Sequence, residues 1–212
     1  MSASPPVAGL LNRPLSEVLG ALASQHDLAG GGGPAAALVA AAAAALTAKV
    51  ARGSRATWIE AGGAIAHAES LRMQAQALIE RDADAYRDAS SFLLRSERSA
   101  RRGVAAPAVA TPPTASADRE RLVGEVLTHA ADLALAIADM SSEITLLAAE
   151  VARNCPSWLR PDALTAVGLA EAATCAAARL VEVNRQLRPD DPRRAASCDA
   201  AAAALQARER AL

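Results

Sequence analysis

Asp82 is the carboxylate in this chain best suited to acid–base chemistry. Between Leu78 and Asp88 the other acids, Glu80, Asp84 and Asp88, recur at helical spacing on one side with Arg87, as a solvated face does. Asp82 stands apart from them. Its neighbours three and four residues away are Leu78, Ile79, Ala85 and Tyr86, with Ala75 and Ala89 one turn further out. An ionised carboxylate in an apolar stripe is costly unless it is paired, or unless it stays protonated with a raised pKa. Held protonated near neutrality, it can give or take a proton as a general acid or base. Pairing with an arginine or a helix end is the other reading, and the sequence leaves both open. Glu80, two residues away, is the second candidate for a catalytic role.

A second chemical feature precedes it in the chain. Gly30, Gly31, Gly32 and Gly33 run into Pro34 and then into the alanine-dominated stretch Ala35–Val50. Proline has a fixed φ and no N–H, so Pro34 suits the first turn of a helix, where amides have no internal partner. The glycines let a ligand or another backbone approach that helix start, and the free amides of Gly33, Ala35 and Ala36 would face it with the positive end of the helix dipole. Such a start holds an anion or a carbonyl oxygen. Alternatively, glycine and alanine here simply let two helices touch closely. Asp162 after Pro161 reads as a first-turn acid. Asn154 and Asn184 read as helix-end or interface polars, and His129 as packing at the edge of an apolar stripe.

The elements that must position these groups are all helical. Of the 212 residues, 52% are hydrophobic but only 2% aromatic, so the core is built from Ala, Leu and Val, which favours packed helices over sheets. The expected helices are Leu15–Ser24, Pro34 to about Arg52, about Trp58 to Arg95 (weakened at Gly62-Gly63), Arg119–Asn154, Pro161 to about Leu187, and Arg193–Leu212. In the fourth, Leu122, Val126, Leu133, Ile137, Ile144 and Val151 form a stripe opposite Asp132, Asp139, Glu143 and Glu150. Prolines 107, 112 and 113 mark residues 99–117 as a mobile loop. The fold class is all-α, an antiparallel helical bundle spanning one domain, residues 1–212. Ala35–Leu46 has no polar face, so it lies at the bundle centre or is covered by a second subunit, and a homodimer through this helix is expected.

Composition also narrows the partners. A formal net charge of −1, a single lysine (Lys49), two Trp, one Tyr and one Phe argue against nucleic-acid binding. Cys155, Cys175 and Cys198 are odd in number and widely spaced, and His26, His67 and His129 are scattered. Neither a disulfide framework nor a metal site is expected. The first residues carry no basic-then-apolar signal, and Ala35–Leu46 is short with Lys49, Arg52 and Arg55 close behind. The expectation is a soluble, reduced, cytoplasmic protein without a membrane span.

Together these residues resemble the formimidoyltetrahydrofolate cyclodeaminase / methenyltetrahydrofolate cyclohydrolase family. Leu15–Ser24 is similar to its first helix, which ends in Leu-Ala-Ser. Gly31-Gly32-Gly33 is similar to its Pro-Gly-Gly-Gly-Ser loop, and Glu80-Arg81-Asp82-Ala83-Asp84-Ala85-Tyr86 resembles its Asp-x-Asp-Ala-x-Ala-aromatic stretch. Asn154, Asp162 and Asn184 fall at its Gly-Asn, Ser-Asp and Asn-Leu elements, so the likeness runs from about Leu15 to Leu205. This chain departs from the pattern at Pro34 and Pro161, each in place of a serine, and at Leu180 in place of an asparagine. The family's basic segment after the second helix is shortened to Arg52 and Arg55.

The resemblance implies an all-helical dimer acting on a tetrahydrofolate derivative as substrate, with no metal or redox cofactor. Such an enzyme closes 5-formimidoyl-tetrahydrofolate to the 5,10-methenyl form with loss of ammonia, or opens the methenyl form with water. It implies Asp82 and Glu80 as the catalytic positions. The substrate would be held by the helix start at Gly31, Gly32, Gly33, Pro34 and Ala35, with Asp162 and Asn184 on the pterin and Arg55 on the anionic tail. The alternative is a member of the family that keeps the dimeric bundle, has lost catalysis, and binds a ligand or protein partner.

Overall fold

A computed structural model describes residues 9–24, 31–103, 113–184 and 190–212. Among these there are six α-helices and no strand: α1 Leu15–Ala23, α2 Gly32–Gly53, α3 Ala61–Gly103, α4 Pro113–Asn154, α5 Arg160–Asn184 and α6 Arg193–Ala211. Short 3₁₀ turns precede α1 (Leu10–Asn12) and α5 (Ser157–Leu159). The expected all-α antiparallel bundle is therefore the observed one.

Polar pairs between helices fix the register. Arg52 reaches Glu69, so α2 and α3 run antiparallel, and His67 Nε2 meets Glu143 Oε1 at 2.7 Å, so α3 and α4 do too. Lys49 Nζ lies 2.7 Å from Asp162 Oδ2, which sets α5 antiparallel to α2. α6 runs alongside α4 in the same direction: Arg193 pairs with Asp132, and Ser142 Oγ donates to the Ala200 carbonyl at 3.0 Å.

Alanine makes this packing possible. Ala37, Ala40, Ala43, Ala44, Ala48 and Ala51 of α2 are fully buried, as are Ala166, Ala170 and Ala177 of α5. A methyl-sized spacer lets backbones come close and gathers many dispersion contacts per unit length. Larger side chains, among them Leu71, Ile137, Ile144 and Val151, are fully buried in the same core. Three buried threonines are satisfied within their own helices: Thr47, Thr145 and Thr174 each donate to the carbonyl four residues back.

α2 is both central and incompletely covered. Its hydropathy and length, and those of Ser157–Val183, would suffice to cross a membrane, yet 61% of the first window and 39% of the second lie buried in the bundle. Exposed Ala42 and Ala45 and half-buried Ala35, Leu38, Val39 and Leu46 leave one open apolar stripe along α2. α5 packs beside α2 and turns Ala172 and Ala176 outward.

Three boundaries differ from expectation. The loop assigned to residues 99–117 is shorter: α3 continues through Gly103 and α4 already begins at Pro113, a residue that suits a first turn, while residues 104–112 lie outside the described residues. Gly62 and Gly63 fall in the first turn of α3 rather than its interior, since that helix starts at Ala61. α2 starts at Gly32, two residues before Pro34, so Pro34 is the third helical residue and still needs no amide partner.

Candidate functional site

The start of α2 and the middle of α3 meet at one end of the bundle. Gly31, with extended backbone at φ −171°, caps α2, and Ala35 N–H donates to Gly31 O at 3.2 Å as the first helical bond. The amide of Ala35 is thus already used. Since Pro34 has none, the free amides of this turn belong to the glycines, not to Ala35 and Ala36 as expected.

Asp82 lies directly against this turn. A β-carbon on Gly33 would stand 2.5 Å from Asp82 Cγ and 2.7 Å from Oδ1, with Oδ2 closer still. Only glycine admits the carboxylate here, and the reason is close approach, because Gly33 does not have positive φ. Asp82 is half-buried beside Ile79 and Ala83 of the core. No described residue hydrogen-bonds its carboxylate. Burial pushes its pKa above the ordinary carboxylate range, and the nearby imidazole of His129, when charged, pulls it back. The antiparallel register that pairs His67 with Glu143 carries His129 of α4 to the level of Asp82. The apolar surroundings expected of Asp82 are present on one side only: Leu78 and Ile79 are buried, but Tyr86 is 48% exposed.

The remaining site residues are distributed unevenly. Glu80 points away from Asp82, as residues two apart on a helix do, and its Oε1 accepts a 2.7 Å hydrogen bond from Leu11 N–H. Its carboxylate also occupies the space beside Gly9, where a β-carbon would sit 2.7 Å from either oxygen. Glu80 therefore pins the N-terminal 3₁₀ turn to α3. Asp84 and Arg87 form the solvated pair expected of them, at 2.6 Å. Leu180 comes to the helix start, its Cδ2 3.1 Å from where a Gly32 β-carbon would be. Asn184 ends α5 near it in sequence, and its side chain lies outside the described residues.

Asp162 and Arg55 are not at this end. Asp162 is held by Lys49, sixteen residues after Gly33 along α2, which at 1.5 Å per residue is roughly 24 Å away. Arg55 sits in the turn beyond α2, further still. Within one chain they do not join Asp82. Sequence reasoning missed His129 and Gly9, whose roles depend on interhelical register, and it missed the partner of Asp162. The lone lysine of an otherwise arginine-only basic set was the available signal for the last. Among the described residues no group of three or more His, Cys, Asp or Glu could hold a metal ion, and the three thiols are free.

The profile of the formiminotransferase-cyclodeaminase family matches residues 14–204, nearly the whole chain. The chain belongs to the formiminotransferase-cyclodeaminase family. Its fold is also that of a solved relative, the crystal structure of formiminotetrahydrofolate cyclodeaminase from Thermotoga maritima. The two superpose with a TM-score of 0.72 at 17% identity, covering 95% of each chain. None of the curated proteins matches this chain. Family and fold together point to a cyclodeaminase-type function.

Proposed function

We propose that this member of the family is a folate one-carbon enzyme using Asp82 as general acid/base. In the cyclodeaminating direction, N10 of 5-formimidoyl-tetrahydrofolate attacks the formimidoyl carbon and its proton passes to the former imine nitrogen. Protonated Asp82 delivers the second proton to that amine, the N5 lone pair expels ammonia, and the 5,10-methenyl cation and the Asp82 carboxylate remain. In the hydrolytic direction the Asp82 carboxylate takes a proton from the water that attacks the same carbon. The observation that carries this reading is a half-buried carboxylate without a hydrogen bond from any described residue, its proton favoured by burial, lying against a glycine-only helix start. The free glycine amides of that turn suit a ligand carbonyl or carboxylate oxygen. Glu80, committed to Leu11, positions the N-terminal turn rather than transferring protons.

A homodimer through α2 belongs to the same proposal. The open stripe at Ala35, Leu38, Ala42 and Ala45 is apolar along its length. A second copy related by a two-fold axis near its middle would lay its own α2 antiparallel. That arrangement carries the Asp162 and Arg55 end of one protomer towards the Asp82 end of the other. We place the protein in the cytoplasm as a soluble enzyme needing no metal or redox cofactor.

Asp82→Asn tests the mechanism. Turnover followed by the absorbance of 5,10-methenyl-tetrahydrofolate is expected to fall about a hundredfold, with folding stability nearly kept. Near-normal turnover removes Asp82 from the chemistry. One observation favours the non-catalytic alternative: Leu180 brings an apolar side chain to Gly32, where the resembled family has an asparagine. Calorimetric binding of tetrahydrofolate without any turnover would establish that alternative.

A further inference from the structure

We infer a binding site for a small organic phosphate with an aliphatic body, in the seam between α4 and α6 at the end of the bundle opposite Asp82. The bond from Ser142 Oγ to the Ala200 carbonyl sets the register of these two parallel helices. Carried two to three turns further, that register puts Ala149 level with Ala207 and Arg153 level with Arg210. These four residues and Leu146 line a cleft of about 340 Å³, a volume within the range of ligand pockets. Its floor is the pair of buried alanines, and half-exposed Leu146 stands at one end. The arginines stand at the other end, because Arg153 follows Leu146 by seven residues, which is about 10 Å along the helix.

Two cations share this seam without a counter-charge. Arg52, Arg193 and Arg208 each meet an acid across a helix seam. Arg153 and Arg210 have no hydrogen bond or ion pair with any described residue, and no described acid lines the cleft. A cation in the last turn offsets the partial negative charge of a helix end. That accounts for each arginine singly, but not for the apolar cleft they share. Side by side they repel, and a dianion between them relieves the repulsion. A phosphate monoester carries nearly two charges near neutrality and offers three acceptor oxygens, enough for both guanidinium forks, whereas a carboxylate fills one. The body of the ligand lies over Ala149 and Ala207 towards Leu146, where apolar burial adds affinity. It is aliphatic, since no described aromatic lines the cleft to stack on a ring. The site is remote from the reacting centre. Asp82 lies fifteen residues beyond His67, and Arg153 ten residues beyond its partner Glu143 in the opposite direction, so roughly 37 Å of bundle separates them. The inference therefore does not depend on the folate reading.

The test is calorimetric titration of the full chain with octyl phosphate below its micelle-forming concentration, with inorganic phosphate, and with octanoate. Octyl phosphate is expected to bind with single-site stoichiometry, at least about tenfold tighter than either of the others. Arg153→Gln and Arg210→Gln each remove one charged fork and should each weaken it about tenfold or more. Leu146→Glu, at an exposed position, should do the same without changing the helix content seen by circular dichroism. The inference is overturned if octyl phosphate fails to bind, if inorganic phosphate or octanoate binds as tightly, or if all three variants keep the affinity of the unaltered chain. A further arm uses phosphatidylcholine vesicles containing phosphatidate. Cosedimentation with them that needs both arginines, without binding of monomeric octyl phosphate, would make the seam a membrane contact and overturn the inference as well.

Discussion

Gly33→Ala separates the role of the helix start from that of the carboxylate beside it. The added methyl would stand 2.5 Å from Asp82 Cγ, against an optimal carbon–carbon separation of about 3.5–4.0 Å. At least an ångström of overlap must be relieved. The α2 backbone is fixed by its helical bonds and by alanines packed to zero exposure on α3 and α5, so the short Asp82 side chain swings out instead. Moving a proton-transferring group by about 1 Å costs roughly a hundredfold in rate, so kcat is expected to fall to about the level of Asp82→Asn. Stability changes far less. Alanine gains about 0.5–1 kcal/mol over glycine in a helix, while relieving the overlap costs about 1–3 kcal/mol. At about 2–4 °C per kcal/mol, Tm should drop by no more than several degrees.

The decisive comparison is the same substitution made in Asp82→Ala. There the collision is gone, so Gly33→Ala should raise Tm by about 1–4 °C and leave the residual rate unchanged. Urea unfolding should report a coupling of about 1–3 kcal/mol between the two positions. Wild-type turnover in Gly33→Ala, or equal effects with and without Asp82, would refute the idea that this glycine exists to admit that carboxylate. Gly32→Ala is the control for the collision: its methyl meets only the tip of Leu180 at 3.1 Å, which can yield, so its effect on Tm should be the same with and without Asp82.

Three further outcomes follow from the same geometry. The folded-state pKa of Asp82 is raised, so the native state binds more protons than the unfolded chain between the ordinary carboxylate value and the raised one. Stability is therefore lost as pH rises through that window, and the stability of Asp82→Asn relative to wild type should improve across it in urea titrations. A flat difference would show that the carboxyl is not desolvated. Glu80→Ala should free the Leu11 amide, raising its hydrogen-exchange rate and costing about 1–2 kcal/mol, with kcat changed less than about tenfold. A hundredfold loss of kcat would return Glu80 to the catalytic pair. Ala42→Glu, on the open stripe of α2, should convert a dimer to a monomer by sedimentation, and a wild-type monomer at micromolar concentration would refute the dimer.

Much of this protein is legible in its sequence. Scarce aromatics and abundant alanine dictate closely packed helices, and the stripe of Leu133, Ile137, Ile144 and Val151 predicts which face of α4 is buried, because helical periodicity is local. The glycine run before Pro34 marks a helix start, and Asp82 marks itself by standing among apolar neighbours. What the tertiary structure alone decided is which groups meet. That Gly33 is glycine because Asp82 lies on it depends on the antiparallel register of α2 and α3. The same register logic brings His129 to Asp82, commits Glu80 to Leu11, and ties Asp162 to Lys49 at the opposite end of α2. Two of these, Glu80 and Asp162, have sequence contexts equally compatible with the active centre. Spacing along a helix fixes the direction of a side chain, but only interhelical packing fixes what it faces, and here one helix length separates residues that the sequence pattern had grouped together.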